Sequence, residues 1–114
     1  MVCNGATFSG QPAAVPESAM PSETPPQRRR IVFYGRVQGV GFRATARSVA
    51  RAHPVSGWVR NEPDGSVVVE VQGAVAAVEA FLSALRERMG GLISREAPTP
   101  APTDPSELNF EVRY

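Results

Sequence analysis

Lysine is absent from this chain, and all twelve basic residues are arginine. Arginine suits bidentate recognition of oxyanions, although a GC-rich genome produces an arginine-only repertoire as readily. The single cysteine, Cys3, excludes an intrachain disulfide framework and a zinc site with several Cys ligands. The single histidine, His53, excludes His-pair metal chemistry and argues against a Ser-His-Asp triad. No apolar run approaches the roughly 20 residues that cross a bilayer, so a membrane-spanning protein is not expected. The formal net charge of +1 is too small for whole-molecule attraction to nucleic acid.

What is present fits one soluble domain: 114 residues, 42% hydrophobic and 20% charged. The charge is unevenly divided. Residues 1–27 carry Glu17 and Glu23 and nothing basic, while residues 28–114 carry 12 arginines against 9 acids. The first 27 residues also hold five of the eleven prolines (Pro12, Pro16, Pro21, Pro25, Pro26) and show no helical or strand period. They read as a disordered Pro-rich tail without the basic n-region and apolar stretch of a secretory signal. The domain is expected over residues 28–114.

Within the domain, Arg30–Val37 is β-branched and aromatic and reads as a strand, with Ile31, Phe33 and Val37 on one face. Gln38-Gly39-Val40-Gly41 is a glycine loop. Phe42–His53 reads as a helix with a stripe of Phe42, Ala46, Val49, Ala50 and His53, an opposite row of Arg43, Arg47 and Arg51, and Pro54 as its stop. Val55–Asn61 and Ser66–Gln72 form a hairpin around the turn Glu62-Pro63-Asp64-Gly65. A second helix to Met89 carries Val75, Val78, Leu82, Leu85 and Met89 on one stripe. Leu92–Ser94 is expected as a short fourth strand, Pro98–Pro105 as a loop, and Leu108–Tyr114 as a last, alternating strand. The order β-α-β-β-α-β plus an end strand predicts an α+β, ferredoxin-like sandwich, with two helices on one face of an antiparallel sheet.

The chemistry concentrates in Gln38-Gly39-Val40-Gly41-Phe42-Arg43. Glycines let successive N–H groups face one point, a concavity that binds anions. A helix starting there adds its free first-turn N–H groups and positive dipole end, and Arg43 adds a forked donor pair. A tight turn with no ligand is the plain alternative. Residues 39–44 also match a dinucleotide fingerprint, but the turn at Glu62–Gly65 reverses the second strand at once and so opposes a parallel Rossmann sheet. Asn61 alone is a strand-end turn residue. Arg47, Arg51 and the run Arg28–Arg30 read as solvated charge, and Trp58 as a packing residue.

The strings G-R-V-Q-G-V-G-F-R (35–43) and G-W-V-R-N-E-P-D-G-S-V (57–67), in that order and spacing, resemble the two signature segments of acylphosphatases, and F-E-V-R-Y resembles that family's last strand. The resemblance spans about residues 30–114. It implies an α/β sandwich that hydrolyses the carboxyl-phosphate bond of small acyl phosphates, with no cofactor and no metal. It implies Arg43 as the phosphate-binding arginine and Asn61 as the residue orienting the attacking water. The amides of Gln38, Gly39, Val40, Gly41 and Phe42 would cradle the phosphoryl oxygens. Two segments depart from the family pattern. Gly90-Gly91-Leu92-Ile93-Ser94 replaces a Gly-Pro segment, and Ala44, Thr45 and Ala46 stand where larger aromatic residues are frequent, which loosens packing beside the site.

The expected protein is therefore a cytoplasmic, monomeric acylphosphatase with a small-molecule substrate and no nucleic-acid or membrane partner. The alternative is a non-catalytic phosphate-ligand binding module of the same fold. An RNA-binding module of this topology would stack bases on aromatics of its central strands, and Ser66–Gln72 has none.

Overall fold

The structure, a computed structural model, describes residues 25–114. The expected tail lies outside the described residues except at its last three positions. Among the described residues the elements are β1 (Gln27–Gly35), α1 (Phe42–Ala50), β2 (Ser56–Asn61), β3 (Val67–Gly73), α2 (Val75–Met89), β4 (Ile93–Ala101) and β5 (Phe110–Arg113), with a 3-10 turn at Gly90–Leu92 before β4. The sheet order is β4-β1-β3-β2-β5, which is the ferredoxin-like arrangement of the first four strands with one strand added beside β2. Among the described residues no helix is long and apolar enough to cross a membrane.

Alternation decides which face the helices cover. Ile31, Phe33, Val59, Val67, Val69 and Val71 point to the helices and are essentially inaccessible. They meet Phe42, Ala46, Val49 and Ala50 of α1 and Val78, Phe81, Leu82, Leu85 and Met89 of α2. The α2 stripe is as the spacing predicts, with Phe81 added and Val75 only half-buried. Helix α1 ends at Ala50. His53 lies in the turn that follows, its N–H bonded to the Ala50 carbonyl at 3.2 Å.

The edge departs from expectation. Residues 93–101 form a nine-residue strand paired with β1, from Arg28↔Ala101 to Tyr34↔Arg95, in place of a short strand and a proline loop. An edge strand uses only every second N–H for pairing. Pro98 and Pro100 are two residues apart, so both fall in the set that points away from β1.

The sheet is also mixed, not wholly antiparallel. Strand β5 runs parallel to β2, with Gly57↔Phe110 through Arg60↔Arg113 in register. The reason is the route of the chain. Strand β4 finishes at the end of the sheet where β1 begins, and residues 102–109 cross beneath that end to the far edge. A strand starting there must run the same way as β2.

The crossing segment is held by polar contacts, part-buried at Glu107 and exposed at Asp104. Arg28, expected as solvated charge, is 6% exposed. Its Nε donates to Glu70 Oε1 at 2.6 Å, and its Nη1 donates to Glu107 Oε1 at 2.8 Å and Gln72 Oε1 at 3.0 Å. Gln72 Nε2 in turn donates to the Asp104 carbonyl at 2.7 Å, and the Asp104 N–H donates to Gln72 Oε1 at 2.8 Å. Arg29 pairs with Glu79 of α2 at 2.7 Å, and Arg30 shares Glu70 at 2.8 Å. Trp58 packs on the open face, 6% exposed, beneath the guanidinium groups of Arg30, Arg60 and Arg113 at 5.7, 5.0 and 4.9 Å.

Removing one member of a buried ion pair leaves the other charge without compensation. Arg28→Ala should therefore cost about 3 kcal/mol of unfolding free energy, read as a lower denaturant midpoint. Burial pushes the Glu70 carboxyl up, but hydrogen bonds from Arg28 and Arg30 outweigh it and hold the group below the ordinary carboxylate range. Its stabilisation is then complete above about pH 4.3, the unfolded value, and is lost as pH falls through the lower folded value. Glu70→Gln should flatten that acid limb in denaturant midpoints measured from neutral pH downward.

Candidate active site

The end of the sheet opposite the crossing segment gathers the C-terminal ends of β1, β2 and β5 and the N-terminus of α1. Strand β1 leaves the sheet at Gly35, and the Arg36 N–H donates to the Leu92 carbonyl at 2.9 Å. Val37, fully buried, anchors the start of the loop. Gly39 and Gly41 then take φ of +76° and +80°. An added Cβ would meet nothing within 4 Å at either position. The left-handed backbone, not lack of space, thus selects glycine there.

Gly41 is the N-cap of α1 and brings no capping side chain. The first helical bond runs from the Thr45 N–H to the Gly41 carbonyl at 2.9 Å. Among the described residues the N–H groups of residues 38–44 have no protein acceptor, so a row of donors stands at the helix start. Phe42 supplies only its N–H to that row, since its ring is buried against Phe33 with centroids 5.2 Å apart.

The Gln38 side chain has a positioning task. Its Nε2 donates to the carbonyls of Glu62 at 2.7 Å and Ser66 at 2.8 Å, which ties the loop to the β2–β3 hairpin. The hairpin turn is itself closed by Asp64, whose Oδ1 accepts from the Ser66 N–H at 2.9 Å and the Ser66 hydroxyl at 2.6 Å. Those bonds hold the Asp64 carboxyl below its ordinary range. Asn61 is the last residue of β2. It pairs with Val67 and shares the helix-facing side with Val59. It sits one residue beyond Arg60, which is level with Arg113 of β5.

Arg43 reaches the same end from α1. Its Nη1 donates to the Arg113 carbonyl at 3.3 Å, and its guanidinium lies over the Tyr114 ring at 4.6 Å from the centroid. One of its five N–H donors is thereby occupied and the others are available. The structure thus brings the loop 38–42, Arg43 and Asn61 to one end of the fold. Arg113 and Tyr114, which hold Arg43, were not picked out in the sequence. They lie some 70 residues away along the chain, in a segment whose alternation marks a strand but not a contact with Arg43.

A family model described as Acylphosphatase matches residues 29–112. The chain belongs to the acylphosphatase family. Among named relatives, an acylphosphatase from Mesorhizobium japonicum is 53% identical over 67 residues, 56% of this chain and 71% of that protein. One from Geobacillus thermodenitrificans is 36% identical over 89 residues, 77% of this chain and 95% of its own length. The crystal structure of acylphosphatase from Bacillus subtilis is 30% identical with a TM-score of 0.69, covering 76% of this chain and 98% of that one. Membership makes the chain an enzyme of the family's class, an acyl phosphate hydrolase.

Gln38→Ala should release the loop from the hairpin. A loss of about 1–2 kcal/mol in denaturant unfolding is expected. Faster amide hydrogen exchange should be confined to the bonded N–H groups that flank the loop contact, those of Arg36 and Glu62, which separates loop release from global destabilisation.

Proposed function

We propose that this enzyme hydrolyses small acyl phosphates by direct attack of water on phosphorus, with Arg43, the 38–42 loop amides and Asn61 as the working groups. The convergence of unpartnered N–H donors, Arg43 and Asn61 at one end of the sheet carries this reading.

The substrate is already activated, because its leaving group is a carboxylate of low pKa. Water forms the new P–O bond, the bond from phosphorus to the acyl oxygen breaks, and the electron pair leaves with the carboxylate. The water's proton passes to solvent or to the phosphate product. Little proton transfer to the leaving group is required. What remains for the protein is positioning and charge stabilisation. The loop amides and the guanidinium of Arg43 bind the equatorial phosphoryl oxygens, where negative charge concentrates. The Asn61 amide accepts one hydrogen bond from the water and can donate another, which orients the nucleophile without an ionisable group. Arg113 and Tyr114 hold the Arg43 guanidinium at the end of β5. In this reading the positive charge comes from the protein, so the reaction runs without metal or cofactor. Every residue invoked lies on one chain, so a monomer acting on a small substrate suffices.

The test is phosphate release from a synthetic acyl phosphate in the presence of EDTA. The wild-type protein should turn over. Arg43→Ala and Asn61→Ala should each fall by about 10²–10³-fold in kcat while keeping the wild-type circular dichroism spectrum. Tight phosphate binding by a folded wild-type protein that releases no product would favour the non-catalytic module instead.

A further inference from the structure

In the row Arg43, Arg47 and Arg51 the first is half-buried and the other two are exposed, as expected of solvated charge, but the row also borders β5. It forms one wall of a groove between α1 and the edge strand β5. Two adjoining cavities make up this groove. The first, of about 420 Å³, opens from the loop and is lined by Gly41, Arg43, Ala44, Arg47, Val112 and Tyr114. The second, of about 720 Å³, continues past Arg47 and Arg51 to His53 and Leu108. Arg47, Arg51, Val112 and Tyr114 border both.

The charge along the groove is uncompensated. Arg28, Arg29, Arg30, Arg60, Arg86 and Arg113 each have a carboxylate within 4 Å. Among the described residues Arg36, Arg43, Arg47, Arg51, Arg88 and Arg95 have none, and three of these stand in one row along the groove. Like charges four residues apart on a helix oppose each other, so this row costs helix stability unless an anion offsets it. No acidic side chain lines the first cavity. The one on the second, Glu111, sits 3.7 Å from Arg113. The small Ala44, where a bulkier residue would rise from the helix, leaves the first cavity open beside Arg43.

We infer that this groove is the acyl-group subsite, and that Arg47 selects acyl phosphates whose acyl part carries a second anionic group. The inference rests on the hydrolytic reading above. A phosphoryl group held by the loop and Arg43 leaves its acyl chain beside the opening of the groove. Arg47 follows Arg43 by about 6 Å along the helix axis and Arg51 by about 12 Å. A short chain ending in a carboxylate meets Arg47, and a longer one reaches Arg51. A guanidinium offers such a group two parallel hydrogen bonds.

The test compares kcat/KM for acetyl phosphate, with a neutral acyl group, and succinyl phosphate, with a terminal carboxylate. Wild-type protein is measured beside Arg47→Gln, Arg47→Lys and Arg88→Gln. Arg88 is exposed on α2 and removes the same charge elsewhere. Wild-type should prefer succinyl phosphate. Arg47→Gln should lower the succinyl-to-acetyl ratio by roughly tenfold or more, mostly through KM. Arg47→Lys should restore part of the ratio, and Arg88→Gln should keep it. A wild-type ratio near one, or an equal change in Arg47→Gln and Arg88→Gln, overturns the subsite while leaving hydrolysis intact. Failure of folded wild-type protein to turn over either substrate overturns the hydrolytic reading, and the subsite with it.

Discussion

Burial of Arg28 is the constraint on which the rest of the architecture depends. A guanidinium placed inside the protein must find acceptors for its donors. It finds them in Glu70 and Gln72 on β3 and in Glu107 on the segment that crosses under the sheet. Gln72 completes the clamp through the backbone of Asp104. Held in this way, the crossing segment delivers β5 to the far edge, alongside β2 and parallel to it. The strand then ends at Arg113, whose carbonyl receives Arg43. A buried charge at one end of the sheet thereby fixes the arginine orientation at the other.

The active end is built by a second, local constraint. Two left-handed glycines let the chain turn from β1 into α1 without a side-chain cap, and so leave the first-turn donors free. A capping Ser or Asp would stabilise the helix by about 1 kcal/mol but would occupy those donors. The helix instead draws its stability from packing Phe42, Ala46, Val49 and Ala50 into the core. The Gln38 side chain replaces the missing rigidity by bonding the loop to the hairpin. Helix stability is thus given up at the donor-rich loop, and recovered by tertiary contacts on either side.

Much of this was legible in the residues. Alternation along β1 identifies Ile31 and Phe33 as core, and the 3,4 spacing does the same for α2. The loop glycines, the Asn61 strand end and the turn at Glu62–Gly65 are all local features, and each appears at its expected place in the fold. The misread segments fail for one shared reason. Pro98 and Pro100 look like loop residues until the strand is known to be an edge, where their missing N–H groups are not needed. Arg28 looks like surface charge until Glu107, 79 residues away, is brought against it. Phe81, three residues after Val78 and four before Leu85, widens the α2 stripe and packs against Phe110 with centroids 5.4 Å apart.

The amino-acid sequence by itself determined the element order, the helix-covered face and the donor-rich loop, because these follow from backbone periodicity, glycine φ and short-range hydrogen bonding. Only the tertiary structure decided the parallel direction of β5, the burial of Arg28 and the hold of Arg113 and Tyr114 on Arg43. It also decided that the Arg47–Arg51 row borders a groove. Each of these depends on which distant segments share a surface, and the energy of a charge is set by that surface rather than by its neighbours along the chain.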